Sequence, residues 1–83
     1  MNIFQEDFTM EFQIKLSTVE QIRSFINKVE RYNFPVDLKE GRYIVDAKSI
    51  MGIFSLDLLQ PITLTADTEY NKAFEDDMRE FMV

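Results

Sequence analysis

The sequence predicts an α+β fold: an open-faced sandwich in which a four-stranded, mainly antiparallel sheet carries three helices on one face, in the order βαββαβα. Three observations predict it. Apolar residues alternate with polar ones in four short segments, the period of a half-buried strand. Between and after these segments the apolar residues recur at helical spacing. Capping and turn residues stand at the joints.

Taken in order, Phe8, Met10, Phe12, Ile14 and Leu16 alternate with Thr9, Glu11, Gln13 and Lys15, which predicts the first strand. Ser17 and Glu20 then have capping-box spacing, so a helix is expected to start there. Its stripe is Val19, Ile22, Phe25, Ile26 and Val29, with Tyr32 one turn on and Pro35 closing the segment. Phe34, Val36 and Leu38 alternate next, Glu40-Gly41 supplies a turn, and Tyr43, Val45 and Ala47 form the returning strand of a hairpin. Ser49 precedes a short apolar stretch, Ile50 to Leu56, that suits one or two helical turns. Pro61 bars its continuation. Ile62, Leu64 and Ala66 make the fourth strand, Asp67-Thr68 offers a cap, and the last helix presents Tyr70, Ala73, Phe74, Met78, Phe81 and Met82 to the core.

The 83 residues suffice for one domain, 1–83, with residues 1–8 expected to be an N-terminal extension. Within it, Ile3, Phe4 and Phe8 either lengthen the first strand or pack against a partner chain. An apolar content of 46%, with eight Phe and five Met, is enough to offset the ordering entropy of a compact fold. There is no cysteine, hence no disulfide framework and no thiolate chemistry. A cytoplasmic location is expected. No leader pattern and no apolar run of about 18 residues is present, so no membrane partner is expected. Fifteen acids against nine bases give a net charge of -6, which repels a nucleic-acid backbone, and Arg23, Lys28 and Arg31 are diluted by Glu20 and Glu30. No nucleic acid is expected either. The acid pairs Glu6-Asp7 and Glu75-Asp76-Asp77 lack calcium-loop spacing and read as solvated faces, and no cofactor or metal is implied.

One segment carries a resemblance. Lys48-Ser49-Ile50-Met51-Gly52-Ile53-Phe54-Ser55-Leu56 is similar to the K-S-I-M-G-V-M-S-L segment of the HPr family, the histidine-containing phosphocarriers of the bacterial sugar phosphotransferase system. Val36-Asp37-Leu38, Ile62-Thr63-Leu64-Thr65-Ala66 and Ala73-Phe74 support it, and the family's βαββαβα order is the one derived above. The resemblance spans Glu11 to Met82. It implies a G-x-H-A-R-P-A motif where the first strand meets the first helix. Here that stretch reads Leu16-Ser17-Thr18-Val19-Glu20-Gln21-Ile22, so Thr18 stands at the position of the phospho-accepting histidine and Glu20 at that of the arginine. The chain holds no histidine at all. An imidazole nitrogen accepts and releases phosphate at neutral pH, which a threonine hydroxyl does not do without strong activation. Ser17 and Thr18 as replacement nucleophiles, with Glu20 as base, are set against the simpler capping reading. No catalytic residue is assigned, and the chain is not expected to be an enzyme.

The resemblance implies two further features. Ser49 matches a serine that a dedicated kinase phosphorylates in family members of Gram-positive bacteria; the alternative is that Ser49 simply caps the short helix. Ile50, Met51, Ile53 and Phe54 correspond to a docking patch for protein partners; the alternative is that most of them fold over the sheet. Phe54 departs from the family's methionine. The expected function is therefore that of a regulatory or protein-binding module without phosphohistidine transfer, or of a substrate of an HPr-kinase-like enzyme at Ser49.

Overall fold

Alternation becomes pairing in the computed structural model, which describes residues 8–83. The strands are β1 (Met10–Ile14), β2 (Val36–Glu40), β3 (Tyr43–Asp46) and β4 (Ile62–Ala66). The helices are α1 (Val19–Val29), α2 (Ile50–Phe54) and α3 (Lys72–Met78), the last followed by a 3-10 turn, Arg79–Phe81. The strands form one sheet in the order β1-β4-β2-β3, and every pairing is antiparallel. The β2–β3 connection is the two residues Gly41-Arg42, with Glu40 facing Tyr43 across the strands. Gly41 has φ of 61°, and among the described residues no other has a positive φ. That is the pattern of a type II′ turn, in which the first central residue favours glycine.

One face of the sheet builds the core. Met10, Ile14, Val36, Leu38, Ile62, Leu64 and Ala66 point to the same side and pack against Ile22, Phe25 and Val29 of α1, Ile53 of α2, and Phe74 and Met78 of α3. All three helices therefore lie on that face, as the polar alternates require. On the other face Glu11, Gln13, Asp37 and Lys39 are exposed. Leu16, in the β1–α1 connection, is fully buried. The outer edge of β1 is partly covered by the chain's last residues: Ile14 and Met82 form an antiparallel bridge, Lys15 N–H donates to the Phe81 carbonyl at 2.8 Å and Val83 N–H to the Gln13 carbonyl at 3.1 Å.

Several expectations need correction. The cap of α1 is Thr18 with Gln21, not Ser17 with Glu20: burial of Leu16 holds the chain extended one residue longer, and the helix starts where its stripe Ile22, Phe25 and Val29 meets the sheet. Val19 then falls in the first turn, 49% exposed. The last helix starts at Asn71, whose side chain accepts from Phe74 N–H, and not at Asp67-Thr68. Asp67 N–H is committed to the Pro35 carbonyl and Thr68 N–H to that of Ala66, so the chain is still leaving β4 at that point. Tyr70 consequently lies outside the core, 66% exposed. Phe8 is exposed and precedes β1. Ile3, Phe4 and Glu6-Asp7 lie outside the described residues.

The polar seam between α1 and the C-terminal segment joins three pairs. Lys28 bridges to Glu80, the Arg31 guanidinium stands 3.6 Å from Asp77, and the Tyr32 hydroxyl donates to Asp77 at 2.6 Å. The Tyr32 ring meets Phe74 edge-on at 5.1 Å. Burial, and next the hydrogen bond to Asp77, push the Tyr32 phenol up to about 12. Because the folded protein holds this proton more tightly than the unfolded chain, its stabilising contribution is complete below pH of about 10 and is lost as pH rises toward 12. A urea-denaturation series over this window is expected to show stability falling with pH, with a shallower fall in Tyr32→Phe. Equal slopes in the two proteins would remove Tyr32 as the group responsible.

Candidate functional site

Two helix N-termini carry the residues singled out in the sequence. The first is that of α1. Thr18 has extended backbone angles, φ -129° and ψ 161°, and its hydroxyl accepts from Gln21 N–H at 3.1 Å. In return the Gln21 side-chain oxygen accepts from Ser17 N–H at 2.7 Å and from Thr18 N–H at 3.2 Å. Three backbone donors that face this end of the helix are thus occupied by the chain itself. Of these, Gln21 N–H belongs to the first helical turn, and Ser17 and Thr18 N–H to the connection before it. Glu20, in the first helical turn, adds a negative charge at the positive end of the helix, favourable for the helix and unfavourable for an incoming phosphate. Ser17, Thr18 and Glu20 do not converge as nucleophile and base: the one hydrogen-bonded network here is the reciprocal cap between Thr18 and Gln21.

The second N-terminus is that of α2. Ser49 caps it as expected, its Oγ accepting from Gly52 N–H at 3.1 Å. Ser49 is half-buried. The four apolar residues of this short helix separate by direction. Ile53 is fully buried in the core, so it drops out of the expected docking patch: with about 100° between successive residues, a five-residue helix lying on a sheet must turn one of them straight down. Met51 is 77% exposed, Phe54 47% and Ile50 40%. These three form the surface. Gly52 lies over the sheet, and a Cβ placed there would stand 3.0 Å from Val45 Cβ and 3.3 Å from Ser49 Oγ. The glycine is what lets α2 approach β3 this closely.

Between α1 and α2 runs an open groove of about 370 Å³, lined by Arg23, Ile26, Asn27 and Glu30 on one side and by Lys48 and Ile50 on the other. Lys48 is a brace as well as a wall: its ammonium donates to the carbonyls of Tyr32 at 2.8 Å and Phe34 at 3.4 Å, tying the start of α2 to the exit of α1. Sequence reading missed this groove. Arg23, Asn27 and Glu30 fall on one flank of α1 by their spacing of four and three, a signal present in the sequence, but nothing local says that α2 lies alongside that flank. Among the described residues there is no cluster of side chains able to hold a metal ion, and no helix long and apolar enough to cross a membrane.

Comparison with solved structures places this arrangement. The chain superposes on HPr-C-His from Thermoanaerobacter tengcongensis with a TM-score of 0.63 at 23% identity, over 87% of this chain and 91% of that one. It superposes on the phosphocarrier protein HPr from Bacillus anthracis with a TM-score of 0.58 at 28% identity, over 87% and 88% of the two chains. No family model matches, and no curated protein sequence matches. The fold is HPr-like, as the resemblance of the Lys48–Leu56 segment implies.

Two substitutions probe the two helix starts. Thr18→Ala removes the hydroxyl that accepts from Gln21 N–H and is expected to cost about 1 kcal/mol, with Thr18→Ser close to neutral, by chemical denaturation. Gly52→Ala reverses the usual sign. Alanine in a helix interior normally gains about 1 kcal/mol over glycine, but here the new Cβ meets another Cβ that no rotamer change moves, so a loss of about 1–3 kcal/mol is expected. A stabilised Gly52→Ala protein would show that α2 is free to lift off β3.

Proposed function

We propose that this HPr-like protein works by docking to another protein through the exposed residues of α2, Ile50, Met51 and Phe54, and takes no part in phosphohistidine transfer. The observation that carries the reading is the contrast between the two helix starts. The chain has no histidine, and the backbone donors Ser17, Thr18 and Gln21 N–H at the α1 start are taken by a reciprocal cap. At α2 the opposite holds: Met51 and Phe54 project into solvent beside an open groove with Arg23 and Lys48 on its walls. A flexible methionine and an aromatic ring rimmed by charge suit a protein interface of modest size. The HPr proteins it superposes on are phosphocarriers by name; this chain keeps the scaffold and the α2 surface without the phosphate-carrying residue.

A second reading is favoured by the placement of Ser49, half-buried between Lys48 and Ile50, which line the groove, with a hydroxyl that also caps α2. In it Ser49 is the substrate of an HPr-kinase-like enzyme in phosphotransferase-linked carbon regulation, and a phosphate there gains from the helix N-terminus and alters the docking surface by its charge.

Intact-mass spectrometry after incubation with enzyme I plus phosphoenolpyruvate, and separately with HPr kinase plus ATP, distinguishes these readings. No phosphate from enzyme I is expected; a stable adduct from it sinks the first reading. One phosphate from the kinase, absent in Ser49→Ala, establishes the second. For docking, Met51→Asp and Phe54→Asp are each expected to weaken a partner recovered with the wild-type protein by tenfold or more in calorimetry, while leaving the circular-dichroism spectrum and Tm unchanged. Wild-type affinity in both variants would remove α2 as the interface.

A further inference from the structure

The sheet has one covered edge and one open edge. β1 is met by the chain's own last residues through the Ile14–Met82 bridge, whereas among the described residues β3 pairs only with β2. Along β3 the pairing alternates. The Ala47 N–H donates to the Val36 carbonyl at 2.9 Å, and stepping back along the register of Asp46 with Asp37, Val45 with Leu38 and Ile44 with Lys39 leaves Ile44 and Asp46 with their N–H groups turned away from β2. Ile44 is 63% exposed and Tyr43 60%, and no proline or lysine interrupts the strand. Proline and lysine are among the devices that blunt natural edge strands; of those devices β3 has only its short length, four residues, and the charge of Asp46 at its end.

The charges on the strand are self-complementary. Asp46 stands directly opposite Asp37, a like-charge pair that disfavours the hairpin. Arg42, in the turn, makes no ion pair among the described residues. We infer that β3 pairs antiparallel with β3 of a second copy, centred on Ile44, extending the sheet across a two-fold axis. In that register Ile44 faces its own counterpart, with a pair of backbone hydrogen bonds between them, and Arg42 of each copy faces Asp46 of the other. Two cross-strand ion pairs form, and each acid that faced Asp37 acquires a base. Tyr43 faces Val45 of the other copy on the helix side. α2 packs on one face of β3, where Gly52 meets Val45, whereas the pairing inferred here lies in the plane of the sheet.

A pairing of two such short strands buries less than a standard interface, so the dimer belongs to high protein concentration. Sedimentation equilibrium from about 10 µM to 1 mM, the range suited to a weak interface, is expected to show a reversible monomer–dimer equilibrium. The amide signals of Ile44 and Asp46 should shift with concentration, and those of β1 should not. Arg42→Asp and Asp46→Arg each place like charges opposite one another twice, and each alone is expected to dimerise at least tenfold more weakly. Mixed in equal amounts they restore both opposite-charge pairs, and dimer returns. Circular dichroism of each variant establishes that it is folded. A wild-type protein that stays monomeric to 1 mM, single variants that dimerise like wild type, or a mixture that regains nothing would each overturn the inference.

Discussion

The structure depends on a single row of side chains that crosses the sheet from edge to edge. Phe12 faces Leu64, Leu64 faces Leu38, and Leu38 faces Val45. Because the side-chain period of a strand is two, a slip of one residue in β1, β2 or β4 would send its member to the wet face and bring a charged or polar neighbour inward. The two central members, Leu64 and Leu38, are fully buried. The ends of the row then set where helices sit. At one end the Phe12 ring lies 6.2 Å from that of Phe74, on α3; at the other, Val45 takes the close approach of Gly52, on α2. At these two ends helix position is tied to sheet register.

This explains why the aromatic residues gather where they do. Phe74 is met edge-on by Tyr32 at 5.1 Å and by Phe34 at 5.2 Å, so the exit of α1, the start of β2 and the middle of α3 share one ring cluster. Edge-to-face geometry of this kind adds about 0.5–1.5 kcal/mol per pair to the burial itself. Lys48 closes the same region from the side, its ammonium on two backbone carbonyls of the α1–β2 connection. Lys28 of α1 and Arg31 just beyond it are engaged in similar local work, with Glu80 and Asp77 respectively, while Arg23 lines the groove. The exposed i,i+4 pair Lys72 with Asp76 holds the Asp76 carboxyl below its usual range through the ammonium hydrogen bond and through Arg79. Such solvated pairs contribute little to stability.

Much of the fold was legible because period-two and period-3.6 patterns are local. The element order, the Ser49 cap and the Gly41 turn all follow from a few adjacent residues. What was not legible depended on choices between near-equal local signals. Ser17 with Glu20 and Thr18 with Gln21 have the same capping-box spacing, and the burial of Leu16, a tertiary fact, selects the second. Asp67 and Thr68 are good caps by residue type, yet their N–H groups are used by Pro35 and Ala66, so the helix waits for Asn71. Ile53 reads like its neighbours Ile50, Met51 and Phe54 in sequence; only the direction in which α2 lies on the sheet separates it from them. The groove between α1 and α2 was invisible for the same reason, since its two walls, Arg23 to Glu30 and Lys48 to Ile50, are far apart in the chain.

The arrangement of α2 shows how a scaffold and a surface can vary separately. The helix is fixed by three features that do not face solvent: Ile53 in the core, Gly52 against Val45, and the Ser49 hydroxyl on Gly52 N–H. Met51 and Phe54 take no part in that fixation, so their identity is free to follow a partner at little cost to folding, and the phenylalanine that stands here in place of the family's methionine changes the shape of the surface alone. At the α1 start the same independence fails. There Thr18 and Gln21 are the cap itself, each side chain accepting from the other's backbone N–H, so a change at either is also a change to the helix start. The two helix starts are thus unequal in what change they tolerate, and that inequality follows from which side chains hold each helix in place, a property of local contacts that fold similarity by itself does not report.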